Sequence, residues 1–168
     1  MEYSINHERK TKYLYWPLAQ MIGLDILIIL IFSFNNHLNQ LILLALFVFV
    51  ISFVFYIGPL LFLFFNYYKE NKDVKLLISN DSSADSSGSN EDSIIELSQS
   101  NILKIEKHLS YPSYDERMHW FFWDELFYYK IRFEDSTEVY VSCLLCDSLE
   151  VHFQNVPFEK VKRWFPSI

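Results

Sequence analysis

The amino-acid sequence predicts an α+β membrane protein, in which an N-terminal transmembrane helical hairpin precedes a small antiparallel β-sheet or roll capped by a C-terminal α-helix. Three observations predict this fold class. Between Tyr13 and Phe65 the only formal charge is Asp25. From Asn66 onward, 11 Lys or Arg residues stand against 18 Asp or Glu residues, so this part carries the whole net charge of -7. Apolar and polar residues alternate in this second part, which is typical of half-buried strands.

Two apolar runs predict the membrane helices. The run from Leu18 to Phe34 contains eleven Leu, Ile, Phe or Val residues. Each contributes roughly -0.3 to -0.6 kcal/mol to insertion, which together outweighs the cost of about +2.5 to +3.5 kcal/mol for one Asp. The run from Leu41 to Phe65 contains twenty such residues and spans about 37 Å at helical rise, more than the roughly 30 Å of a hydrocarbon core. We therefore predict transmembrane helices over 13–34 and 41–68, joined by a short outer loop over 35–40.

Basic residues on the flanks predict the orientation. Three of them lie in the segment 1–12 and three lysines lie in 69–75, whereas the loop over 35–40 has no Lys or Arg. The positive-inside rule then places both termini, and the N-terminal segment 1–12, in the cytoplasm, with two spans in a plasma (inner) membrane. A secretory signal peptide is the alternative for the first run, but no small-x-small cleavage site follows it.

The segment 69–168 is predicted to fold as a cytoplasmic β-rich domain. LFYYKIRFED and TEVYVSCLL both alternate, and the polar break Glu134–Ser136 between them predicts an antiparallel hairpin. Upstream, VKLLIS, SIIELS and NILKIEKHLSY predict three more strands, the last with Leu103, Ile105 and Leu109 facing inward.

In the last segment the apolar residues recur at the spacing of a helix and no longer at that of a strand. Phe158, Val161 and Phe165 recur at helical spacing, Pro157 suits a first helical turn, and Pro166 suits a helix end. The sequence therefore predicts a C-terminal amphipathic α-helix packed on the sheet.

The segment 79–93, SNDSSADSSGSNEDS, has four acidic residues and no basic residue. Such a composition buries too little apolar surface to offset the entropy of ordering, so we predict a disordered loop. A phosphorylation or partner-docking segment is the alternative.

The chain resembles small bacterial two-helix membrane proteins that carry a C-terminal pleckstrin-homology-like (PH-like) domain. The two-helix hairpin, the YYKIRFEDSTEVYVSCLL hairpin and the terminal EKVKRWFPSI segment carry the resemblance. It implies a PH-like fold, and it assigns no activity to any residue.

Residues typical of catalytic sites form no recognisable pattern. Gly23, Gly58 and Gly88 are the only glycines, which leaves no phosphate-binding loop. Cys143 and Cys146 form a CxxC pair, but positions three apart on a strand face opposite sides, and Cys143 suits the core as a small apolar residue. The sequence thus predicts no enzyme, no catalytic residue, no cofactor and no metal, with a metal or redox use of the CxxC pair as the weaker alternative.

Two candidate contact sites remain. Asp25 is predicted to lie at the same depth as Ser52 of the second helix, where a protonated Asp25 would stabilise the hairpin by an intramembrane hydrogen bond to Ser52 or to a second copy of the chain. A contact to a partner's membrane helix and a proton or ion relay are the alternatives for Asp25. In HWFFWDELFYY, the side chains of Trp120, Phe121 and Trp123 either belong to the sheet core or contact the membrane surface or a protein partner.

Taken together, these features predict a membrane-anchored cytoplasmic interaction or scaffold module, such as an accessory subunit of a larger membrane complex. Its predicted partners are the lipid bilayer and either a protein partner or a second copy of the chain. The net negative domain disfavours nucleic acid and anionic lipid headgroups. The alternative is an oligomeric small transporter or channel component that uses Asp25. A membrane-tethered enzyme would need a cluster built from Asp115, Glu116, His119, Asp124 and Glu125.

Overall fold

The computed structural model describes residues 1–33, 38–79 and 93–168. The predicted disordered loop over 79–93 lies outside the described residues except for its two ends. The predicted outer loop over 35–40 lies outside them except for 38–40, which belong to a helix.

Two long helices form the N-terminal half. The first consists of α1 (His7–Lys10), a π-helical turn (Thr11–Tyr15) and α2 (Trp16–Ser33), and the second of α3 (Leu38–Ser52), a π-helical turn (Phe53–Ile57) and α4 (Gly58–Asn71). Over His7–Ile31 and Gln40–Asn71 these helices are long and apolar enough to cross a membrane. α2 and α3 pack against each other.

The described part of the chain has seven strands in two sheets. The strands are β1 (Glu2–Tyr3), β2 (Val74–Ser79), β3 (Ser93–Ser98), β4 (Ile102–Ser110), β5 (Tyr128–Phe133), β6 (Glu138–Ser142) and β7 (Phe158–Arg163). One sheet has the order β1-β2-β3 and the other the order β6-β5-β4-β7. The helices α5 (Tyr111–Tyr114) and α6 (Leu149–His152) and a 3-10 turn (Phe122–Glu125) lie in the connections of the second sheet.

Both sheets are mixed, so the prediction of a purely antiparallel sheet is wrong. β2 pairs with β3 in parallel, and β4 pairs with β7 in parallel. Parallel neighbours need a long connection, and alternation within one strand carries no information about such a distant partner. The predicted hairpin is confirmed: β5 and β6 pair antiparallel, with Tyr129 opposite Val141 and Ile131 opposite Val139.

The predicted C-terminal α-helix is also wrong, because Phe158–Arg163 forms strand β7. This strand pairs with β4 along its whole length, and the Ile105 N–H donates to the Pro157 carbonyl at 3.0 Å. A helix this short would leave most of its backbone groups without partners, whereas the edge of β4 supplies them. The apolar residues at helical spacing build no buried face, since Phe158 is 36% exposed and Val161 is only half-buried.

The start of β4 departs from simple alternation. The pairing with β5 shifts between Ile102 and Lys104, and such an irregularity reverses which side chains face the core. Ile102, Ile105 and Leu109 are buried while Leu103 is 57% exposed. The inward prediction is therefore right for Ile105 and Leu109 and wrong for Leu103.

The two sheets share a first hydrophobic core. β2, β3, β4, β5 and β6 contribute to it, together with the turn and helix that follow β6. Its largest fully buried members are Leu76, Leu97, Ile105, Tyr129, Ile131, Leu145 and Leu149.

A second hydrophobic core joins the two long helices to the second sheet. The first helix contributes Tyr13 and Leu14, and α4 contributes four residues on one face. These pack against the 3-10 turn, β5 and the turn after β6. The residues of α4 and of the sheet side are Leu60, Leu63, Phe64, Tyr67, Leu126, Tyr128, Cys143 and Leu144. The packing therefore does not separate the second helix from the domain at the predicted boundary of 68–69.

The N-terminal segment belongs to the same packed unit. β1 pairs antiparallel with β2. Arg9 and Lys12 lie 3.7 Å and 3.2 Å from the carboxylate of Asp147 in the connection after β6. The segment 1–12 is thus part of the β-rich domain, and that domain is not confined to the C-terminal side of the helices.

Two asparagines of α4 bind backbone groups of the domain. The side chain of Asn71, which is 1% exposed, donates to the Tyr140 carbonyl at 3.0 Å and accepts from the Ser142 N–H at 2.9 Å. Asn66 makes the same pair of bonds to one residue, donating to the carbonyl of Ile168 at 3.2 Å and accepting from its N–H at 2.9 Å. The Asn71 amide thus takes the place of a neighbouring strand at the free edge of β6.

Candidate functional site

A groove of about 450 Å³ lies where the second long helix meets the domain; we call it the aromatic groove. Its walls are Val54, Phe55 and Pro59 on the helix side and Trp120, Phe121 and Trp123 on the domain side, with Tyr111 and Trp164 at its rim. The described residues that line it include no Lys, Arg or His. The described lining of the groove is therefore largely aromatic and contains no basic side chain.

The helix wall of the groove is shaped by a Gly-Pro pair. Pro59 has no N–H, so the carbonyl of Phe55, four residues earlier, lacks its usual α-helical donor. The indole Nε1–H of Trp123 donates to this carbonyl at 3.3 Å. Gly58 follows the π-helical turn, and a Cβ at this position would lie 2.8 Å from the Phe53 carbonyl oxygen. The local backbone thus needs a glycine, and the indole supplies the missing donor.

The domain wall is a set of contacting rings. The rings of Phe121 and Trp123 stack with centroids 5.3 Å apart, and the Phe121 ring lies 5.0 Å from that of Tyr56. Trp120 and Trp164, by contrast, are 76% and 81% exposed. The structure thus brings the three predicted aromatic residues together beside the second helix, with Trp120 outside the sheet core.

Asp124 lies behind this wall and is 1% exposed. Its Oδ2 accepts from the Phe121 N–H at 3.2 Å, whereas its Oδ1 has no hydrogen-bond partner within the described residues. Burial raises the pKa of this carboxyl above its usual value. Asp124 is the one carboxylate that lines the described groove.

Sequence reasoning missed the contribution of the C-terminal residues to this site. The sequence predicts a helix packed on the sheet for the segment that contains Trp164 and Phe165, but these two residues follow β7 and reach the groove. The available signal was a large aromatic pair directly after the charged stretch KVKR, since exposed aromatic residues beside polar ones favour a binding surface.

The predicted contact between Asp25 and Ser52 lies close to the aromatic groove. The Ser52 hydroxyl donates to Asp25 Oδ1 at 2.7 Å, and Ser52 is 6% exposed. A second groove along α2 and α3 is lined by Asp25 and Ser52 and extends to Trp120. Asp25 therefore faces the neighbouring helix of its own chain.

Replacing Asp25 with Leu is expected to lower the unfolding free energy in detergent by about 0.6 to 1.7 kcal/mol, the range for hydrogen bonds between membrane helices. The reason is that Ser52 loses its acceptor. Asp25→Asn keeps an acceptor oxygen and should stay close to the wild-type protein. Thermal unfolding in detergent checks both variants, and an unchanged midpoint for Asp25→Leu would contradict the importance of this contact.

The two cysteines are free thiols, and both are buried. Burial raises the pKa of Cys143 to about 12, which keeps this thiol protonated and unreactive at neutral pH. The prediction that the two cysteines face opposite sides of a strand is wrong, because β6 ends at Ser142, Cys143 lies in the following turn and Cys146 comes directly after that turn. They nevertheless enter different cores, Cys146 the first and Cys143 the second.

Two of the acidic residues that a catalytic cluster would need are paired with lysines. Asp115 pairs with Lys162 at 2.8 Å, and Glu116 pairs with Lys160 at 3.2 Å, so β7 neutralises both. His119 and Glu125 lie 3.9 Å apart. Among the described residues, no group of three or more His, Cys, Asp or Glu side chains is placed to hold a metal ion.

His108 on β4 was not singled out from the sequence. It is 2% exposed, and its ring stacks on that of Tyr128 with centroids 4.5 Å apart. Its Nδ1 accepts from Arg163 Nε at 3.0 Å, and its Nε2 lies 3.5 Å from a carboxylate oxygen of Glu106. Burial, followed by the charge of Arg163, lowers the pKa of His108 below 6.5.

We expect the protein to lose stability as the pH falls below about 6.5, the unfolded-state pKa of histidine. The folded state binds the His108 proton less tightly than the unfolded state, so protons favour unfolding between 6.5 and the lower folded-state pKa. The unfolding midpoint measured from pH 7.5 to 5.5 should fall for the wild-type protein and fall less for His108→Gln. The exposed His7, replaced by Gln, is the control, and equal slopes for all three proteins would refute this assignment.

The fold and the site define an α+β protein with two candidate membrane-spanning helices and mixed sheets. A family model described as a PH domain matches residues 2–152. The chain therefore belongs to this PH domain family. The matched region begins at residue 2 and includes both long helices, so the predicted PH-like fold is confirmed while its predicted C-terminal position is wrong. Comparisons with curated proteins and with solved structures each find no match.

Proposed function

We propose that the chain is a membrane-anchored cytoplasmic interaction module without catalytic activity, whose PH-like domain is held at a fixed position beside the bilayer. The single observation that supports this function most is the second hydrophobic core. It is built jointly by Leu60, Leu63 and Tyr67 of the second helix and by Tyr128 and Leu144 of the domain. A tethered domain would need no such shared core.

The connection between helix and sheet supports a fixed position as well. α4 ends at Asn71 and β2 begins at Val74, which leaves a link of Lys72 and Asp73. The paired hydrogen bonds of Asn66 and Asn71 hold the same helix to the C-terminal segment and to β6. A module of this kind presents the aromatic groove at one depth relative to its membrane helices.

Surface exposure supports the membrane part of the proposal. In the most apolar stretch of each helix, 17% of the residues are buried in the first and 6% in the second. A core helix of a water-soluble protein would be mostly buried, whereas Leu43 and Leu46 of α3 are 70% and 61% exposed. Surfaces this apolar are typical of contact with lipid or with another membrane helix.

The proposal also includes the orientation of the chain in the membrane and its binding partners. We place both termini in the cytoplasm of a bacterial cell, with the outer loop on the other side of the inner membrane, because Arg9 and Lys12 lie in the first turns of the first helix, at its domain end. The partners are the bilayer and either a protein or a second copy of the chain.

Fractionation and protease accessibility test the anchoring. The full chain, with a tag after Ile168, should resist alkaline extraction from membranes, and the tag should be cleaved only after the cells are opened. A chain that stays soluble without detergent, or a tag that is cleaved on intact cells, would overturn the proposal.

Two matched leucine substitutions sharpen this test. Leu46 on α3 and Leu103 on β4 are similarly exposed, at 61% and 57%. Leu46→Lys places a charge in the proposed lipid-facing surface at a cost of roughly 2.5 to 3.5 kcal/mol, and it should strongly reduce the yield of membrane-inserted protein. Leu103→Lys should leave the yield unchanged, since Leu103 lies on the proposed water-facing surface.

A second candidate function is an oligomeric small transporter or channel component that uses Asp25. The groove along α2 and α3 that contains this carboxylate favours it. Two helices alone cannot enclose a pathway, so this function requires a detergent-solubilised mass well above that of one chain. The hydrogen bond from Ser52 to Asp25 within one chain supports the interaction module instead.

A further inference from the structure

We propose that the aromatic groove binds the ammonium headgroup of a zwitterionic phospholipid, of the choline or ethanolamine class, from the adjacent leaflet. This inference rests on the proposed membrane anchoring and deepens it by assigning a ligand to the groove. Four features of the groove support it: its access, its ring faces, its charge and its size.

Access to the groove comes from the side of the membrane helix. Val54 and Phe55 form its helix wall, and they are 55% and 57% exposed within the second candidate span. The groove is thus continuous with the surface that the acyl chains would cover. A phospholipid can place its headgroup there without leaving the bilayer.

The ring faces suit a cation. Trp120 and Trp164 are among the most exposed large apolar residues of the described chain, and tryptophan is the ring that attracts cations most strongly. One cation–π contact is already present at the rim, where the Lys162 ammonium lies 4.4 Å from the centroid of the Tyr111 ring. Asp115, 2.8 Å from Lys162, compensates that charge.

The charge of the groove also favours a cation over an anion. Its described lining has no basic side chain, and the Lys162 ammonium at the rim is already paired with Asp115, so a phosphate or carboxylate head without an ammonium would find no uncompensated cation in this lining. Asp124 contributes a buried carboxylate whose Oδ1 has no hydrogen-bond partner in the described part of the chain. A negative group behind a wall of indoles complements an ammonium in front of it.

The size of the groove is adequate for a headgroup. Its volume of about 450 Å³ lies within the range of roughly 300 to 1,000 Å³ that is typical of small-molecule sites. The attached acyl chains would remain along the helix rather than inside the groove.

Calorimetric titration of the full chain in a maltoside detergent tests the proposal. The probes are short-chain phosphatidylcholine, phosphatidylethanolamine and phosphatidylglycerol with the same acyl chains. We expect the two ammonium lipids to bind at least about fivefold more tightly than the glycerol lipid. Equal affinities for all three would mean that acyl chains alone fill the groove, and would overturn the proposal.

Four variants assign the preference to the groove. Trp120→Leu and Trp164→Leu should reduce the preference to about onefold, whereas Trp164→Phe should retain most of it. Asp124→Asn should also weaken it, because it keeps the acceptor for the Phe121 N–H and removes the charge. Trp16→Leu is the control, since Trp16 is 62% exposed and lies outside the groove residues.

Two outcomes separate this inference from the proposed function. A membrane-inserted protein without headgroup preference, or with a preference that survives both tryptophan-to-leucine changes, refutes the ligand and leaves the anchoring intact. A preference in a chain that proves extractable from membranes refutes the anchoring instead. Near-ultraviolet circular dichroism verifies that each variant is folded, and if a tryptophan variant is not, Asp124→Asn and the wild-type titration decide.

Discussion

Replacing Asn71 with Ala is expected to lower the free energy of unfolding by about 2 to 4 kcal/mol. The Asn71 amide satisfies the Tyr140 carbonyl and the Ser142 N–H, and Ser142 is fully buried. Removing it leaves two backbone groups without partners, at a cost of about 1 to 3 kcal/mol for each such group when water does not reach it. Thermal and denaturant unfolding of the detergent-solubilised chain measure the effect.

Asn71→Asp and Asn66→Ala are the controls for this prediction. Asn71→Asp keeps an acceptor for the Ser142 N–H and loses the donor to Tyr140, so its effect should be intermediate. Asn66→Ala removes the corresponding pair of bonds to Ile168, which is less buried than Ser142, and should cost less. If Asn71→Ala unfolds like the wild-type protein, the side chain does not hold α4 to β6.

Replacing Gly58 with Ala is expected to destabilise the protein by about 1 to 3 kcal/mol, the usual cost of inserting a methyl group into packed space. The added Cβ would lie 2.8 Å from the Phe53 carbonyl oxygen, a backbone atom. The π-helical turn over Phe53–Ile57 would have to shift. Because Phe55 lies in that turn and bonds Trp123, Gly58→Ala should also weaken the headgroup preference of the aromatic groove.

Gly23 is the matched control. It lies in α2, and a Cβ there would meet nothing within 4 Å. Gly23→Ala should therefore stabilise the protein slightly, by up to about 1 kcal/mol, because alanine loses less backbone entropy in a helix than glycine. Unfolding midpoints of the same sign for the two variants would show that the space at Gly58 is not what requires the glycine.

Much of the fold follows from local pattern. The two apolar runs coincide with the long helices, and alternation locates β2, β3, β5 and β6. Counting residues at helical rise sets Asp25 and Ser52 at one depth, and these two side chains form a hydrogen bond. Such features depend on periods of a few residues, which the sequence displays directly.

The remaining parts depend on partners far along the chain. β7 becomes a strand because β4, some 50 residues earlier, pairs with it, and β1 becomes a strand because β2 does. Within a continuous apolar run, no polar residue marks that Leu60 and Leu63 face protein while Phe62, between them, is 58% exposed. The aromatic groove is equally hard to predict, since it combines side chains from four separate segments of the chain.

The joint core of helix and sheet has a mechanical consequence. A long apolar helix tilts further when the bilayer becomes thinner. Since α4 is packed into the domain and its link to β2 is only Lys72 and Asp73, such a tilt would rotate the sheets by a similar angle. In the proposed membrane-anchored arrangement, a change in bilayer thickness would therefore change the orientation of the β-rich domain relative to the membrane.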